Sequence, residues 1–226
     1  MSGSIIITGA SQGIGLATAE TFLNDGWTVG LKARRSEVLE EICAGNDRAI
    51  PLPADVTDED RVAERFDEFV SHTRRLDALF NNAGMFGPPK TIDEIALEDW
   101  QAVVNLNLTG MFIAARAAFK QMRYQEPRGG RIINNGSISA HVPRETSICY
   151  TTTKHAITGM TRSLSLDGRD LDIACGQIDI GNALTDMVRE TNERMVAEGV
   201  RLVGVDYLSV APYKQPGQPP RPVSQF

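Results

Sequence analysis

Residues 4–15 read SIIITGASQGIG, an apolar β-branched run that passes directly into a glycine-rich turn. The run Ser4–Thr8 is typical of a fully buried strand, and the apolar spacing from Gly15 to Asn24 predicts a helix after it. Where a strand meets a helix N-terminus, glycines let the backbone approach a pyrophosphate, and the helix dipole favours that anion. The stretch therefore predicts a phosphate-binding turn; the alternative is a glycine-rich turn without a ligand.

Strands and helices alternate along the rest of the chain. Apolar runs predict further strands at residues 27–33, 49–52, 76–81, 131–135 and 171–178. Helical spacing predicts helices at 36–44, with Ser36 as the N-cap, at about 57–70, 98–124 and 149–166, and at 182–198. Near-continuous apolar strands that alternate with helices favour a parallel sheet covered on both faces, and right-handed crossovers make it doubly wound. We therefore predict one α/β domain at residues 1–198.

The composition is that of a soluble globular chain. Of 226 residues, 42% are hydrophobic and 23% charged, which excludes a disordered chain, and three cysteines are too few for a disulfide scaffold. The net charge of −6 and the pI near 5.2 disfavour a nucleic-acid or anionic-membrane surface. No apolar run reaches the roughly 18–20 residues that span a bilayer, and the N-terminus lacks signal-peptide regions. We expect a cytoplasmic protein with no nucleic-acid or membrane partner.

The end of the second predicted strand bears on the identity of the nucleotide. An NAD site usually places Asp or Glu here to bind ribose hydroxyls, whereas a basic residue suits the 2′-phosphate of NADP. Residues 31–35 read LKARR, with no acid, and the guanidinium of Arg34 could bind a phosphate through two hydrogen bonds. NADP(H) is therefore the favoured cofactor and NAD(H) the second choice. The alternative is a solvated charge pair at a strand end.

Tyr150 and Lys154 are four residues apart, which places both on one face of a helix. A nearby ammonium favours phenolate and lowers a phenol pKa from its usual value of about 10, which would suit Tyr150 to proton transfer. Ser137 follows the fifth predicted strand at the carboxyl edge where α/β sheets bind ligands, and Asn81–Gly84 follows the fourth. These groups together predict a catalytic site, whereas the Tyr–Lys pair alone would be read as an exposed helical pair.

These motifs, in this order and spacing, resemble the short-chain dehydrogenase/reductase family over about residues 4–198. The resemblance is carried by TGxxxGxG at Thr8–Gly15, NNAG at Asn81–Gly84, Ser137 and Tyr150-x-x-x-Lys154. It implies a Rossmann-like fold and the catalytic residues Asn107, Ser137, Tyr150 and Lys154, with Asn105 and Ser139 as alternatives to the first two. It also implies cofactor contacts from Gly9, Ser11, Gln12, Gly13, Ile14, Gly15, Arg34, Asp55, Val56, Asn82, Ala83, Gly84, Tyr150, Lys154 and Ile180.

The resemblance further implies an oxidoreductase that interconverts a ketone or aldehyde and an alcohol by hydride transfer. Tyr150 would exchange the proton of the substrate oxygen, and Ser137 would orient and polarise that oxygen. Lys154 would bind the nicotinamide ribose and lower the pKa of Tyr150, and Asn107 would hold a water that links Lys154 to solvent. The family commonly forms homodimers or homotetramers through two long helices, for which the apolar stretch Ala114–Phe119 would permit close packing.

The C-terminal end departs from the family. Gln177–Ile178 stands where the family commonly has Pro-Gly, and residues 199–211 are either a substitute edge strand or a fusion tail, followed by a proline-rich tail at 212–226. Residues 203–209 resemble a fragment of cyclase-like metal-dependent hydrolases, but scattered histidines and the lack of Cys-x-x-Cys predict no metal site. A non-catalytic nucleotide-binding regulator or scaffold is the main alternative to an enzyme, and an intact Tyr150 argues against it.

Overall fold

The computed structural model describes residues 2–181, 183–185 and 208–209. Its central sheet consists of β1 (Ser4–Thr8), β2 (Thr28–Ala33), β3 (Ala49–Pro53), β4 (Ala78–Asn81), β5 (Gly130–Asn135) and β6 (Ile173–Ile178). All neighbouring pairs are parallel, and the order across the sheet is β3-β2-β1-β4-β5-β6. The order reverses between β1 and β4, which opens a crevice at the carboxyl ends of these strands. The predicted doubly wound α/β fold is confirmed.

Six helices connect these strands and cover the sheet. They are α1 (Gly13–Asn24), α2 (Ser36–Cys43), α3 (Glu59–Thr73), α4 (Leu97–Val104), α5 (Met111–Tyr124) and α6 (Ile148–Asp167). A π-helical segment, Asn105–Gly110, joins α4 to α5, so the predicted helix at 98–124 is continuous but not uniform. Ser36 is the first residue of α2 rather than its cap, whereas Asp58 caps α3 by accepting a hydrogen bond from the Arg61 N–H.

Two hydrophobic clusters lie on opposite faces of the sheet. Alternation along β1 divides its side chains between them, with Ile5 and Ile7 on one face and Ile6 on the other. The first face packs against α1 and α2, including Ala19 and Leu39. The second face packs against α3 and α5. The helices contribute Phe66 and Phe69 from α3, and Ala114, Ala118 and Met122 from α5. Both faces of β1, β2 and β4 are buried, which explains the near-continuous apolar sequences of these strands.

The helical stretch Leu97–Tyr124 is long and apolar enough, by length and composition alone, to cross a membrane, with a mean hydropathy of 1.4 in its most apolar window. Within the fold, however, Ala114, Ala115 and Ala118 are buried against the protein's own core. The close packing that the sequence assigned to an oligomer contact at Ala114–Phe119 is therefore mostly intramolecular. Phe112, near the start of α5, is an apolar residue that is exposed, with 51% of its surface accessible.

Two short strands follow the main sheet. β7 (Ala183–Leu184) pairs in parallel with β8 (Leu208–Ser209) in a separate two-stranded sheet. The predicted helix at 182–198, most of the predicted edge strand at 199–211 and the tail at 212–226 lie outside the described residues. β8 is the described part of that edge strand, and its described partner is β7.

Lys32 on β2 is a buried cation whose removal is expected to stabilise the fold. Its side chain is fully buried, and its ammonium has no hydrogen-bond partner among the described residues. Burial lowers the pKa of Lys32 from 10.5 to about 8, against the opposing charge of Asp55. The unfolded chain therefore holds this proton more tightly, and stability is lost as the pH falls from about 10.5 to about 8.

We expect Lys32→Met to raise the free energy of unfolding by about 1–3 kcal/mol at pH 7, because the methionine needs no charge solvation. The gain should shrink at pH 10, where Lys32 is already neutral in the folded state. Urea unfolding at both pH values measures the effect. A variant that is less stable than the wild type at pH 7 would contradict this account.

Candidate active site

A cavity of about 590 Å³ opens at the carboxyl edge of the sheet, where the strand order reverses. Its walls come from the β1–α1 turn, the ends of β2 to β6 and the start of α6. All the predicted cofactor contacts line it except Gly15; they are Gly9, Ser11, Gln12, Gly13, Ile14, Arg34, Asp55, Val56, Asn82, Ala83, Gly84, Tyr150, Lys154 and Ile180. Ser137 also lines the cavity, as does the alternative Ser139.

The β1–α1 turn forms a backbone cradle that a side chain would fill. Gly9 has φ +68°, and a Cβ at Gly15 would lie 2.2 Å from the carbonyl oxygen of Gly9. Asn82 fixes the turn from the next strand, because its Nδ2 donates to the Thr8 carbonyl at 3.0 Å and its backbone N–H donates to Thr8 Oγ1 at 2.8 Å. Gly15 thus packs beneath the turn rather than lining it. This geometry fits the close approach of a pyrophosphate to a helix N-terminus.

Two arginines stand at the end of the cavity next to β2. Arg35 Nη2 donates to Gln12 Oε1 at 2.9 Å and to Ser11 Oγ at 3.2 Å, which ties the end of β2 to the phosphate turn. Burial raises the pKa of Asp55, but hydrogen bonds from Thr57 and the charge of Arg34 outweigh it, and the pKa is lowered overall. The sequence singled out Arg34 alone. The structure adds Arg35, so two guanidinium groups face this part of the cavity.

Tyr150 and Ser137 meet at the other end of the cavity. Burial raises the pKa of Tyr150, while a hydrogen bond with Ser137 and the positive charge of Arg144 act to lower it. The phenol ring packs on Phe86, with the two ring centroids 4.6 Å apart. The sequence predicted a pKa lowered by Lys154. The pKa is instead raised, because desolvation of the phenol outweighs the nearby favourable groups.

Lys154 is buried one helical turn after Tyr150, and its Nζ lies 5.3 Å from the centroid of the Tyr150 ring. The Nζ donates to the carbonyl of Asn135 at 2.7 Å. Burial lowers the pKa of Lys154 to about 8, and the charge of Asp179 opposes this. The side-chain oxygen of Asn135 is buried with no hydrogen-bond partner among the described residues, so a polar acceptor remains at the same wall of the cavity.

Asn107 lies in the π-helical segment and is fully buried behind the cavity. Its Oδ1 accepts from the Met85 N–H at 2.8 Å, and its Nδ2 donates to the Met85 carbonyl at 2.8 Å and to Thr153 Oγ1 at 3.2 Å. Asn105, the alternative, is exposed at the surface. Asn107 therefore links the loop after β4 to α6 one residue before Lys154, which fixes the relative positions of these elements.

Sequence reasoning missed other groups at this edge. Gln177 and Ile178 pair within β6, which ends where the predicted strand at 171–178 ends, and the following loop begins at Asp179. From that loop Gly181, Ala183 and Thr185 reach the cavity, with Thr185 next to Gly13. Asp179 contacts the backbone of Ser137. The sequence position of Asp179 could have indicated this contact, because Asp179 follows a parallel strand and so lies at the same edge of the sheet as Ser137.

The family model described as short chain dehydrogenase matches residues 4–196. With this fold and this cavity, the chain belongs to the short-chain dehydrogenase family. It is an NAD(P)-dependent oxidoreductase that acts on CH–OH or carbonyl groups. Among the residues that the structure describes, no group of three or more His, Cys, Asp or Glu side chains could hold a metal ion.

Several dehydrogenases and reductases are similar to this chain. Glucose 1-dehydrogenase 2 of Bacillus subtilis is 33% identical over 193 residues, which are 83% of this chain and 74% of that protein. A 3-oxoacyl-(acyl-carrier-protein) reductase of Synechocystis sp. is 31% identical over 216 residues, 93% of this chain and 83% of that protein. The crystal structure of levodione reductase superposes with a TM-score of 0.81 at 27% identity and covers 88% of this chain and 78% of that one.

Proposed function

We propose that this protein is an NADP(H)-dependent oxidoreductase that interconverts a small or medium ketone or aldehyde and the corresponding alcohol. Tyr150 is the general acid and base of the reaction. The observation that carries this proposal is the hydrogen bond between Ser137 and a half-buried Tyr150, beside Lys154 and inside one cavity with the phosphate turn. Reduction of a ketone panel, followed by the absorbance of NADPH, tests it.

Each residue at this site has a different role in the proposed reaction. The nicotinamide nucleotide supplies or accepts the hydride. Ser137 donates to the substrate oxygen and holds it against Tyr150. Because burial raises the pKa of Tyr150, the phenol is protonated at neutral pH and can donate its proton to the oxygen of a carbonyl substrate. The charges of Arg144 and Lys154 then stabilise the phenolate that remains, and Asn107 keeps α6 in register with the loop after β4.

The preference for NADP(H) is supported by Arg34 and Arg35. Both line the cavity at the end of β2, and Arg35 bonds Ser11 and Gln12 of the phosphate turn. The strand end carries no acid that would bind the ribose hydroxyls of NAD. A doubly charged 2′-phosphate can accept hydrogen bonds from two guanidinium groups, and charge-assisted bonds of this kind are about twice as strong as neutral ones.

The cofactor preference is testable by dissociation constants. We expect the wild type to bind NADPH at least tenfold more tightly than NADH. Replacing Arg34 and Arg35 together by Gln should remove most of that difference, because each charge-assisted bond contributes about 1.5–3 kcal/mol. Fluorescence titration measures both constants. Arg48→Gln, an exposed arginine away from the cavity, is the control and should leave the ratio unchanged. Tighter binding of NADH by the wild type would refute the preference without affecting the assignment of Tyr150.

Assembly and location remain proposals. We propose a homodimer or homotetramer formed through α5 and α6, supported by the exposed side chains of Phe112 on α5 and Leu166 on α6, which are 51% and 59% accessible. The cytoplasmic location stays a prediction from the sequence.

A further inference from the structure

The carboxylate of Asp179 bridges the end of β6 and the loop that carries Ser137. Its Oδ1 accepts from the Ser137 N–H at 3.0 Å and from Gln177 Nε2 at 2.6 Å. Its Oδ2 lies 2.7 Å from His141 Nε2, on the same loop four residues after Ser137. The Asp179 side chain thus joins Ser137 and His141, which lie in the segment after β5, to Gln177 in β6.

The backbone at this point is shaped around that carboxylate. A Cβ at Gly136 would lie 2.1 Å from Asp179 Oδ1, so the carboxylate occupies the space that a side chain at this position would need. The Gly136 N–H donates to the Ile178 carbonyl at 2.9 Å, and Ser137 Oγ accepts from the Ser139 N–H at 3.1 Å. These contacts fix the direction of the backbone after β5, and the Ser137 hydroxyl group lies next to Tyr150.

Gln177 extends the same network to the helix that bears Tyr150 and Lys154. Its Nε2 donates to Thr158 Oγ1 at 3.0 Å, and its Oε1 accepts from Thr161 Oγ1 at 3.3 Å. Asp179 lies at the surface with 28% of its side chain accessible, and it is not among the residues that line the cavity. Its contacts are with the residues that hold Ser137 and α6.

We propose that Asp179 is a positioning residue of the reaction, which holds Ser137 in the orientation that Tyr150 and the substrate oxygen require, with His141 as its second anchor. This inference rests on the proposed roles of Ser137 and Tyr150. The carboxylate is suited to the task, because an ionised acceptor binds a backbone N–H and an imidazole more strongly than a neutral one. Burial raises the pKa of Asp179, but hydrogen bonds from His141, Gln177 and the Ser137 N–H outweigh it and lower the pKa overall, so the group is ionised at neutral pH.

The test separates positioning from a general loss of stability. We expect Asp179→Ala to lower kcat by about 10–100-fold, since a displacement near 1 Å at a reacting group can cost about 100-fold. The dissociation constant for NADPH should stay within about twofold. Asp179→Asn, which keeps one acceptor for the Ser137 N–H, should recover a large part of kcat. Asp47→Ala, an exposed acid away from the cavity, is the control.

A double-mutant cycle with Ser137→Ala decides the proposal. If Asp179 acts through Ser137, Asp179→Ala should cost less than about threefold in kcat when Ser137 is already alanine. An equal loss in both backgrounds would overturn the proposal, and so would parallel losses of kcat and nucleotide affinity.

Hydrogen exchange of the Ser137 amide provides a readout that does not need activity. We expect Asp179→Ala to speed exchange at Ser137 and not in β1. Unchanged exchange would overturn the inference. A wild type that reduces no carbonyl compound while this amide responds would instead refute the proposed function alone.

Discussion

Tyr150→Phe is expected to lower kcat by about 10²–10⁴-fold, the range over which a positioned acid or base contributes to catalysis. The substitution removes only the hydroxyl group that bonds Ser137 and keeps the ring that packs on Phe86. The nucleotide dissociation constant and the melting temperature should therefore change little. Steady-state kinetics, fluorescence titration and thermal unfolding of the same preparation measure the three quantities.

Tyr124→Phe is the matched control, because Tyr124 ends α5 with 71% of its surface exposed and does not line the cavity. It should behave as the wild type. A Tyr150→Phe variant with undiminished turnover would remove Tyr150 from the chemistry. A wild type that binds NADPH but turns over no carbonyl or alcohol would favour the non-catalytic regulator instead.

Gly15→Ala is expected to weaken nucleotide binding by about 100-fold, although alanine normally stabilises a helix relative to glycine. The added Cβ would lie 2.2 Å from the Gly9 carbonyl oxygen and 2.8 Å from Asn82 Nδ2. The first atom belongs to the backbone, and the second is held by its hydrogen bond to the Thr8 carbonyl, so the phosphate turn itself must move by about 1 Å. The dissociation constant for NADPH, measured by titration, reports that movement directly.

Gly159→Ala is the control for this effect, because Gly159 lies exposed on α6 and a Cβ there would meet no described atom within 4 Å. It should bind nucleotide normally and be more stable by about 0.5–1 kcal/mol, the usual difference between glycine and alanine in a helix. If Gly15→Ala binds NADPH as tightly as Gly159→Ala does, the turn is not a phosphate cradle.

The sheet could be predicted from the sequence because buried parallel strands are apolar on both faces. The errors fall where an apolar residue packs against the core from outside a strand, fully buried in one case and partly buried in the other. Leu76 was assigned to the fourth strand, yet it precedes β4 and its N–H donates to Gln125 Oε1. Leu171 was assigned to the sixth strand but belongs to a short 3-10 turn, after which Asp172 adopts φ 56° before β6 begins. In both cases the apolar side chain indicates contact with the core but does not indicate the backbone conformation.

The candidate site was predictable where local motifs define it and was missed where it depends on distant contacts. Tyr150 and Lys154 lie on one face of α6, as their spacing predicted. The pKa of Tyr150 was predicted in the wrong direction because spacing shows the neighbouring charge and not the burial. Asp179 was missed because its partner Ser137 is 42 residues away in the chain. The π-helical turn at Asn107 leaves no mark in the hydrophobic pattern.

The fit between Gly136 and the Asp179 carboxylate also constrains how this chain can evolve. A Cβ at position 136 would overlap Asp179 Oδ1 and would lie 2.7 Å from Gln177 Nε2, so position 136 cannot vary independently of 177 and 179. A side chain at position 136 requires the side chains at both 177 and 179 to move or to be replaced by smaller residues. Descendants of this sequence that keep Gln177 and Asp179 should therefore keep Gly136 as well.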